Sequence, residues 1–516
     1  MKRTTLSLIA GATALAAVTG FAALTAPDGT AAPGATKATT RLPVERVGLA
    51  CPVPSSSEVA ETVYTSYTPA GAETGKGTGA GKDGAARSTA LLRPAAGATA
   101  DGGTGDGGTG DKKPPATAKA PATVTAPGKP VTARANGAAV PALTGSATGA
   151  LASGWTVQQT TVVPAGGPRG LLGLTCGAPD TDFWFPAAST AQARHDYVHL
   201  TNPDDTAAVA DIELYGPEGV LKSQFTEGIP VPAHSTVPVL LPTLTQEAAQ
   251  RDVTVHVTTR SGRVGAAVGV ADDKLGSDWI SASADPSGSV VLPGIPADAA
   301  SVRLVVFAPG EDDADLKVKL STASGAIVPA GADTLHVKSG MTTSIDLPDL
   351  TRGSAASLFL APEDPKRPVP VVAALQVVRG KGDKSEIAFI PAAGAISARA
   401  TAADNRAGAS TLSLTAPEAD ARVTITASAG SEAGTPVTKT VTVKAGTTAA
   451  LTDIVPQGLK GSYALTVEPV SGGKVYAART LAAPQDGIPM FTVQTLADDR
   501  GTVEVPSARQ DLGVLD

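Results

Sequence analysis

The sequence predicts an all-β protein of tandem immunoglobulin-like or fibronectin-like β-sandwich repeats, with an N-terminal signal or anchor helix and a long disordered insert. Three observations carry that expectation. The first is an apolar alternating run ending in proline, written four times: Val47-Gly-Leu-Ala-Cys51-Pro52, Val198-His-Leu-Thr-Asn202-Pro203, Leu304-Val-Val-Phe-Ala308-Pro309 and Leu412-Ser-Leu-Thr-Ala416-Pro417. The last three prolines are 106 and 108 residues apart, close to the length of one small sandwich and too long for one propeller blade. The second is composition: aromatics make up 3% of 516 residues, with 56 Gly and 41 Pro, which suits short strands and tight turns. The third is a turn-then-threonine phrase, Pro-Ala-His-Ser-Thr236, Lys-Ser-Gly-Met-Thr342 and Lys-Ala-Gly-Thr-Thr448, at nearly the same distance from the start of each repeat.

The parts follow in order. Residues 1–40 hold Lys2, Arg3 and an uncharged stretch from Leu6 to Ala26, read as a signal peptide or a single-pass membrane anchor plus linker. Either way the remainder is expected outside the cytoplasm, secreted or anchored to the outer face of the cytoplasmic membrane. A first β-domain spans 41–187, interrupted from about 68 to 153 by Gly/Ala/Thr/Pro-rich sequence that is expected to be disordered. Sandwich repeats follow at 188–295 and 296–394, and a last one with a C-terminal tail at 395–516. Within them, alternating runs such as Leu316-Lys-Val-Lys-Leu320 and Val423-Thr-Ile-Thr-Ala427 read as half-buried strands. Val253 to Val268 reads as a hairpin turning at Ser261-Gly262, and Tyr463 to Arg479 as another turning at Gly472-Gly473.

Cys51 and Cys176 are the only cysteines, and an exported chain with such a pair predicts one disulfide. Cys51 ends an early strand and Cys176 follows Gly170-Leu-Leu-Gly-Leu-Thr, a late one, so the bridge would hold the first domain together across its insert.

Chemistry is sparse. A net charge of -7 and a pI near 5.4 supply no basic field for nucleic acid. His195 and His199 stand four apart, but on a strand that spacing separates them by roughly 13 Å, so a solvent-facing position is favoured over a metal site. The acidic turn Glu311 to Asp315 could hold calcium, with a solvated turn the favoured reading. Lys76 to Asp83 lacks the first glycine and the Ser/Thr of a phosphate loop, and no Gly-x-Ser-x-Gly elbow occurs. No cofactor, metal or catalytic residue is expected. Trp155, the cluster Phe183-Trp184-Phe185 and Trp279 are candidate ligand-contact aromatics, weighed against core packing at domain junctions.

From about Asp182 to the C-terminus, phrases such as His195-Asp-Tyr-Val-His-Leu-Thr-Asn-Pro and Ala482-Ala-Pro-Gln-Asp-Gly-Ile-Pro-Met-Phe-Thr-Val resemble an uncharacterised family of actinomycete secreted or envelope proteins, a domain of unknown function. The resemblance implies export and an envelope setting and transfers no activity. The function expected is a non-catalytic scaffold that binds an envelope protein or glycan. Alternatives are a membrane-tethered accessory factor of envelope glycan assembly, or a hydrolase whose site no motif marks.

Overall fold

Alternation builds the outer strands. In Ala314–Thr322, Ala314, Leu316, Val318 and Leu320 are buried while Asp315, Lys317 and Lys319 are exposed, the period of two that a sheet with one wet face requires. Elsewhere burial does not alternate: every residue of Glu386–Pro391 and of Gly276–Ile280 is buried. Such strands belong where neighbours cover both faces.

The computed structural model describes residues 40–71, 88–97, 122–225 and 227–505. Pro43–Val503 forms one body. Met1–Leu42 with Glu504–Asp516 is a separate unit, in which Arg41 and Glu504 form an exposed ion pair at 3.1 Å. The stretch Leu6 to Ala26 lies outside the described residues. Among those described, no helix is long and apolar enough to cross a membrane.

The chain is all-β and folds into many small open sheets. One pairing order recurs. In the second group, Asp182–Ala188 pairs with Val253–Ser261, which pairs with Ala208–Gly216; the partner sheet runs Gly276–Ile280, Gly265–Asp272, Arg194–Thr201, Ser235–Leu240. The third group repeats this with Val290–Ile295, Ala356–Pro362, Ala314–Thr322 and with Glu386–Pro391, Val372–Arg379, Ala299–Phe307, Thr342–Leu347. The fourth does so with Ala400–Asn405, Tyr463–Gly472, Ala421–Ala427 and with Phe491–Leu496, Tyr476–Ala482, Ser410–Ala416, Thr447–Leu451. The first group uses Arg46–Cys51, Leu143–Thr148, Ala90–Pro94 and Gly170–Thr175, Thr156–Val163, Glu61–Tyr67, Val131–Asn136. In the second, third and fourth groups, buried apolar residues of both sheets fall in one core cluster. The opening strand of each group flanks the strand beside which the immunoglobulin order would place the next one along the chain.

Four sequence expectations change. Val253–Ser261 and Gly265–Asp272 lie in different sheets, as do Tyr463–Gly472 and Tyr476–Ala482, so both expected hairpins are arches that carry the chain from sheet to sheet. Alternation cannot separate these cases, because an arch and a hairpin both bury every second residue. The strand ending at Cys51 is an edge strand beside Leu143–Thr148, whereas the counterpart of Arg194–Thr201 is Glu61–Tyr67. The matching proline of the first group is therefore Pro69. The expected insert is narrower: Ala90–Pro94, Val131–Asn136 and Leu143–Thr148 are strands of the first group, and Leu92, Leu143 and Ala147 enter its core. Alternating Val131-Thr-Ala-Arg-Ala-Asn136 was hidden inside a low-complexity composition; residues 72–87 and 98–121 lie outside the described set. Finally, Asp182–Ala188 and Val290–Ile295 pair with strands that follow them, so the groups begin before 188 and 296.

The groups do not form a string. The last strand of each is a hub strand: Gly170–Thr175, Gly276–Ile280, Glu386–Pro391 and Phe491–Leu496. The first and third each pack against the second and the fourth, so the groups close into a ring. Apolar contacts seal each junction. Leu172 and Leu174 meet Trp279, Ile387 and Phe389 join the second core, Phe491 and Val493 join the third, and Leu171 meets Leu481 and Met490. The repeated threonine clips successive groups together: Thr342 Oγ1 donates to Tyr215 O at 2.7 Å and Thr448 Oγ1 to Ser321 O at 2.8 Å. At the first junction Ser235 and Thr236 instead pair in parallel with Ala96 and Gly97.

Candidate functional site

The hub carries the buried polar groups. Gly173 N donates to Asp278 Oδ1 at 3.0 Å, Thr492 Oγ1 donates to the same carboxyl, and Gln494 Nε2 donates to Thr492 Oγ1 at 2.7 Å. Leu171 N donates to Glu386 Oε1 at 3.0 Å. All four groups of the ring thus meet through two carboxyls. Burial holds Asp278 well above the usual carboxylate range and pushes Glu386 up to about 8, against the Leu171 amide and the Arg169 charge. Glu386 therefore stays protonated at neutral pH. Arg479, opposite Gln494 across the strand pair, is fully buried, and its three guanidinium nitrogens have no hydrogen-bond partner among the described residues. Burial lowers it to about 10, with the Asp404 carboxylate opposing, so it remains charged.

Beyond the C-terminal ends of three hub strands opens a cavity of about 420 Å³. It is lined by residues from Leu174 to Ala178, by Ser281 and Ala282, and by the segment from Gln494 to Arg500; the Cys51 strand, Trp155, Phe183 and His199 complete the wall. The walls are mainly apolar. Two lining residues carry a buried polar atom with no hydrogen-bond partner among the described residues: Gln494 Oε1 and His199 Nδ1. Burial lowers His199 to about 4, so its ring is neutral at pH 7. At the rim, Asp498 Oδ2 accepts from Ser397 N, Ser397 Oγ and Ala398 N, and Asp499 pairs with Arg399. Those carboxylates are spent on the fold. Two larger depressions, about 880 and 630 Å³, are open dishes among surface loops, one beside Lys381 and Lys384 and one beside Asp312 and Asp313.

The candidate aromatics separate. Trp184 stacks on His256 at 3.6 Å beside Phe307, Phe185 is fully buried in the second core, and Trp279 packs on Leu172 and Leu174. Trp184 and Trp279 fill junctions, and Phe185 fills a core. Trp155 donates Nε1–H to Ser66 Oγ at 2.8 Å and, with half-buried Phe183, lines the axial cavity. No shared stacking platform results, because a chain of small apolar residues uses its few large rings to fill gaps between groups. Cys51 and Cys176 form the expected disulfide, and Cys176 lines the cavity. His195 is exposed as expected, pairing with Asp273 at 3.5 Å, but His199 turns into the cavity wall beside Trp279. In the acidic turn, Asp313 accepts from Ser339 N and Asp315 pairs with His336 at 2.7 Å. Among the described residues no three His, Cys, Asp or Glu side chains converge as metal ligands.

Sequence reading passed over Gln494, Asp278 and Glu386. The available signal was a carboxylate inside a short apolar strand, Gly276-Ser-Asp-Trp-Ile, where Asp is disfavoured.

The model of a family of unknown function, DUF5719, matches residues 131–453. That is well over half of the chain. The chain belongs to DUF5719. No curated protein and no solved structure matches it. The DUF5719 match opens on Val131–Asn136 of the first group and closes just after Thr447–Leu451, the topologically equivalent strand of the fourth. Its limits therefore cut through two groups, leaving out the Cys51 strand and the hub strand Phe491–Leu496 that complete the ring.

Proposed function

We propose that this DUF5719 chain is an exported, non-catalytic scaffold of the cell envelope, secreted or held by its N-terminal apolar segment, that presents a protein or glycan partner with a rigid ring. We read its four sheet pairs as diverged copies of one immunoglobulin-like sandwich whose two edge strands are exchanged. The observation that carries the reading is the axial cavity, which is assembled from three groups and so exists only in the closed ring. The strongly shifted titratable groups support it, because Asp278, Glu386 and Arg479 are buried, and the two carboxyls accept hydrogen bonds from neighbouring hub strands. Sedimentation of the full, oxidised chain with purified bacterial cell-wall material and with membrane vesicles tests the proposal. Saturable binding to either fraction is expected, and binding to neither overturns it.

A further inference from the structure

The four junctions of the ring are built alike. Each opening strand packs on the strand beside the hub strand of the next group: Arg46–Cys51 on Gly265–Asp272, Asp182–Ala188 on Val372–Arg379, Val290–Ile295 on Tyr476–Ala482 and, closing the ring, Ala400–Asn405 on Thr156–Val163. Equivalent positions therefore compare directly. Thr236, Thr342 and Thr448 stand opposite Thr201, Phe307 and Thr415, each two residues before its repeat proline. In the first group the matching residue is Tyr67, and one step beyond the pair Ser66 and Val131 it faces Pro130, which carries no hydroxyl. Ala267, Ala374 and Ala478, opposite His199, Val305 and Ser413, join the apolar seals of the other three junctions. Their counterpart in the first group, opposite Thr65, is Gln158. Thr65 shares a face with Tyr67, which packs on Ala403 and Ala464 of the fourth group, so Gln158 is turned toward the closing junction. On that face Thr65 Oγ1, Gln158 Nε2 and Thr160 Oγ1 are buried with no hydrogen-bond partner among the described residues. A buried polar group left unpaired costs about 1–3 kcal/mol. The closing junction thus has neither the threonine nor the alanine of the other three. Consecutive groups are also joined by the chain itself, whereas the fourth meets the first through noncovalent contacts.

A strap stands in for the missing contacts. Asp499 pairs with Arg399 and accepts from Gly501 N at 2.8 Å, while Gly501 O accepts from Ser153 Oγ at 2.9 Å and from Val44 N at 3.0 Å, both on the side of the first group. Arg399 also reaches Ser153 O at 3.4 Å. A Cβ at Gly154 would collide with the Arg399 guanidinium and the Asp499 carboxylate, so the first group sits directly on that pair. We propose that the ring opens at the fourth–first junction, with residues 498–501 as a releasable strap that gates the axial cavity. Local opening follows the least favourable contacts of a fold. The cavity lies across this junction: Trp155, Thr156 and Cys176 line it from the first group, and Thr401, Leu496 and residues 498–500 from the fourth. Releasing the strap parts those walls, while the bonds from Gly173 to Asp278 and from Leu171 to Glu386 keep the first group on the second and third. This deepens the scaffold reading, on which it rests for the use of the cavity: three junctions keep the ring rigid and the fourth admits the partner.

Spin labels on the full oxidised chain test the gate by double electron–electron resonance. One pair, Arg134→Cys with Thr440→Cys, spans the closing junction, and a second, Val220→Cys with Lys319→Cys, spans the second–third junction; all four positions are exposed. The closing pair is expected to show a second, longer distance and the second–third pair a single one. Arg399→Gln, which unseats the strap, is expected to raise the long-distance population about tenfold or more. Gln158→Ala, which restores the alanine of the other junctions, is expected to lower it about fivefold or more. Should Arg399→Gln lose the wild-type circular dichroism spectrum, Ser153→Ala, which removes a donor to Gly501 O and spares the ion pair, carries the same direction of change. A single distance across the closing junction in wild type and in the folded strap variant overturns the proposal, as does a population that neither variant moves or an equal second distance at the second–third pair. If the junction opens and the chain sediments with neither cell walls nor vesicles, the scaffold reading falls and the gate stands. If the junction stays closed and the chain sediments, the gate falls and the scaffold reading stands.

Discussion

Leu171 donates its backbone N–H to Glu386 Oε1 at 3.0 Å across 215 residues of chain, joining the first and third groups of the ring. The bond does not need the charged carboxylate, since the acid form also accepts. Burial keeps Glu386 protonated up to about pH 8.

That gives a pH dependence of fixed sign. The folded value of Glu386 lies above its ordinary value of 4.5, so its contribution is complete below 4.5 and is lost as pH rises to about 8. Asp278 acts in the same direction. Thermal melts are expected to show stability falling between pH 5 and pH 8.5, with Glu386 accounting for on the order of 3 kcal/mol. Glu386→Gln keeps an acceptor and cannot ionise. Its melting curve is expected to be flatter over that range; an unchanged slope would show that the carboxyl is ionised in the folded ring.

Reduction tests the bridge between Cys51 and Cys176, which closes a loop of 125 residues. The chain-entropy model assigns such a loop up to about 5 kcal/mol. The paired Cys51→Ser and Cys176→Ser variant is expected to unfold at lower urea, with its loss reproduced in wild type by a reducing agent. Equal urea midpoints with and without reductant would contradict this.

The threonine clips are separable. Thr342→Val and Thr448→Val each keep the shape and leave a carbonyl, Tyr215 O or Ser321 O, without its donor. Each is expected to lower stability by about 1–3 kcal/mol in chemical denaturation. The two clips share no partner, so the double variant should lose close to the sum.

Close approach at the hub depends on glycine. A Cβ at Gly173 would collide with Gln494 Nε2 and Thr492, while one at Gly177 meets nothing within 4 Å. Gly173→Ala is expected to cost about 1–3 kcal/mol by overpacking the first–fourth junction, and Gly177→Ala to stay within about 0.5 kcal/mol of wild type. Urea midpoints of the two variants compare them directly.

Much of the fold was legible along the chain. Alternation located strands such as Ala314–Thr322, the spacing of Pro203, Pro309 and Pro417 exposed a repeat, and two cysteines in a chain expected to be exported predicted their bridge. Less of the site was legible. Trp155 and Phe183 stood out as large rings, but Gln494 and His199, which also line the cavity, read as ordinary strand positions.

The sequence by itself determined which residues alternate, how often the unit recurs and which two sulfurs join, because each follows from local period or from composition. Only the tertiary structure decided that Val253–Ser261 and Gly265–Asp272 form an arch, that the groups close into a ring, and that Asp278 and Glu386 accept hydrogen bonds from the hub strand of the first group. A period of two states that one face of a strand is buried. It does not say against what, and the partners of the hub strands lie more than a hundred residues away.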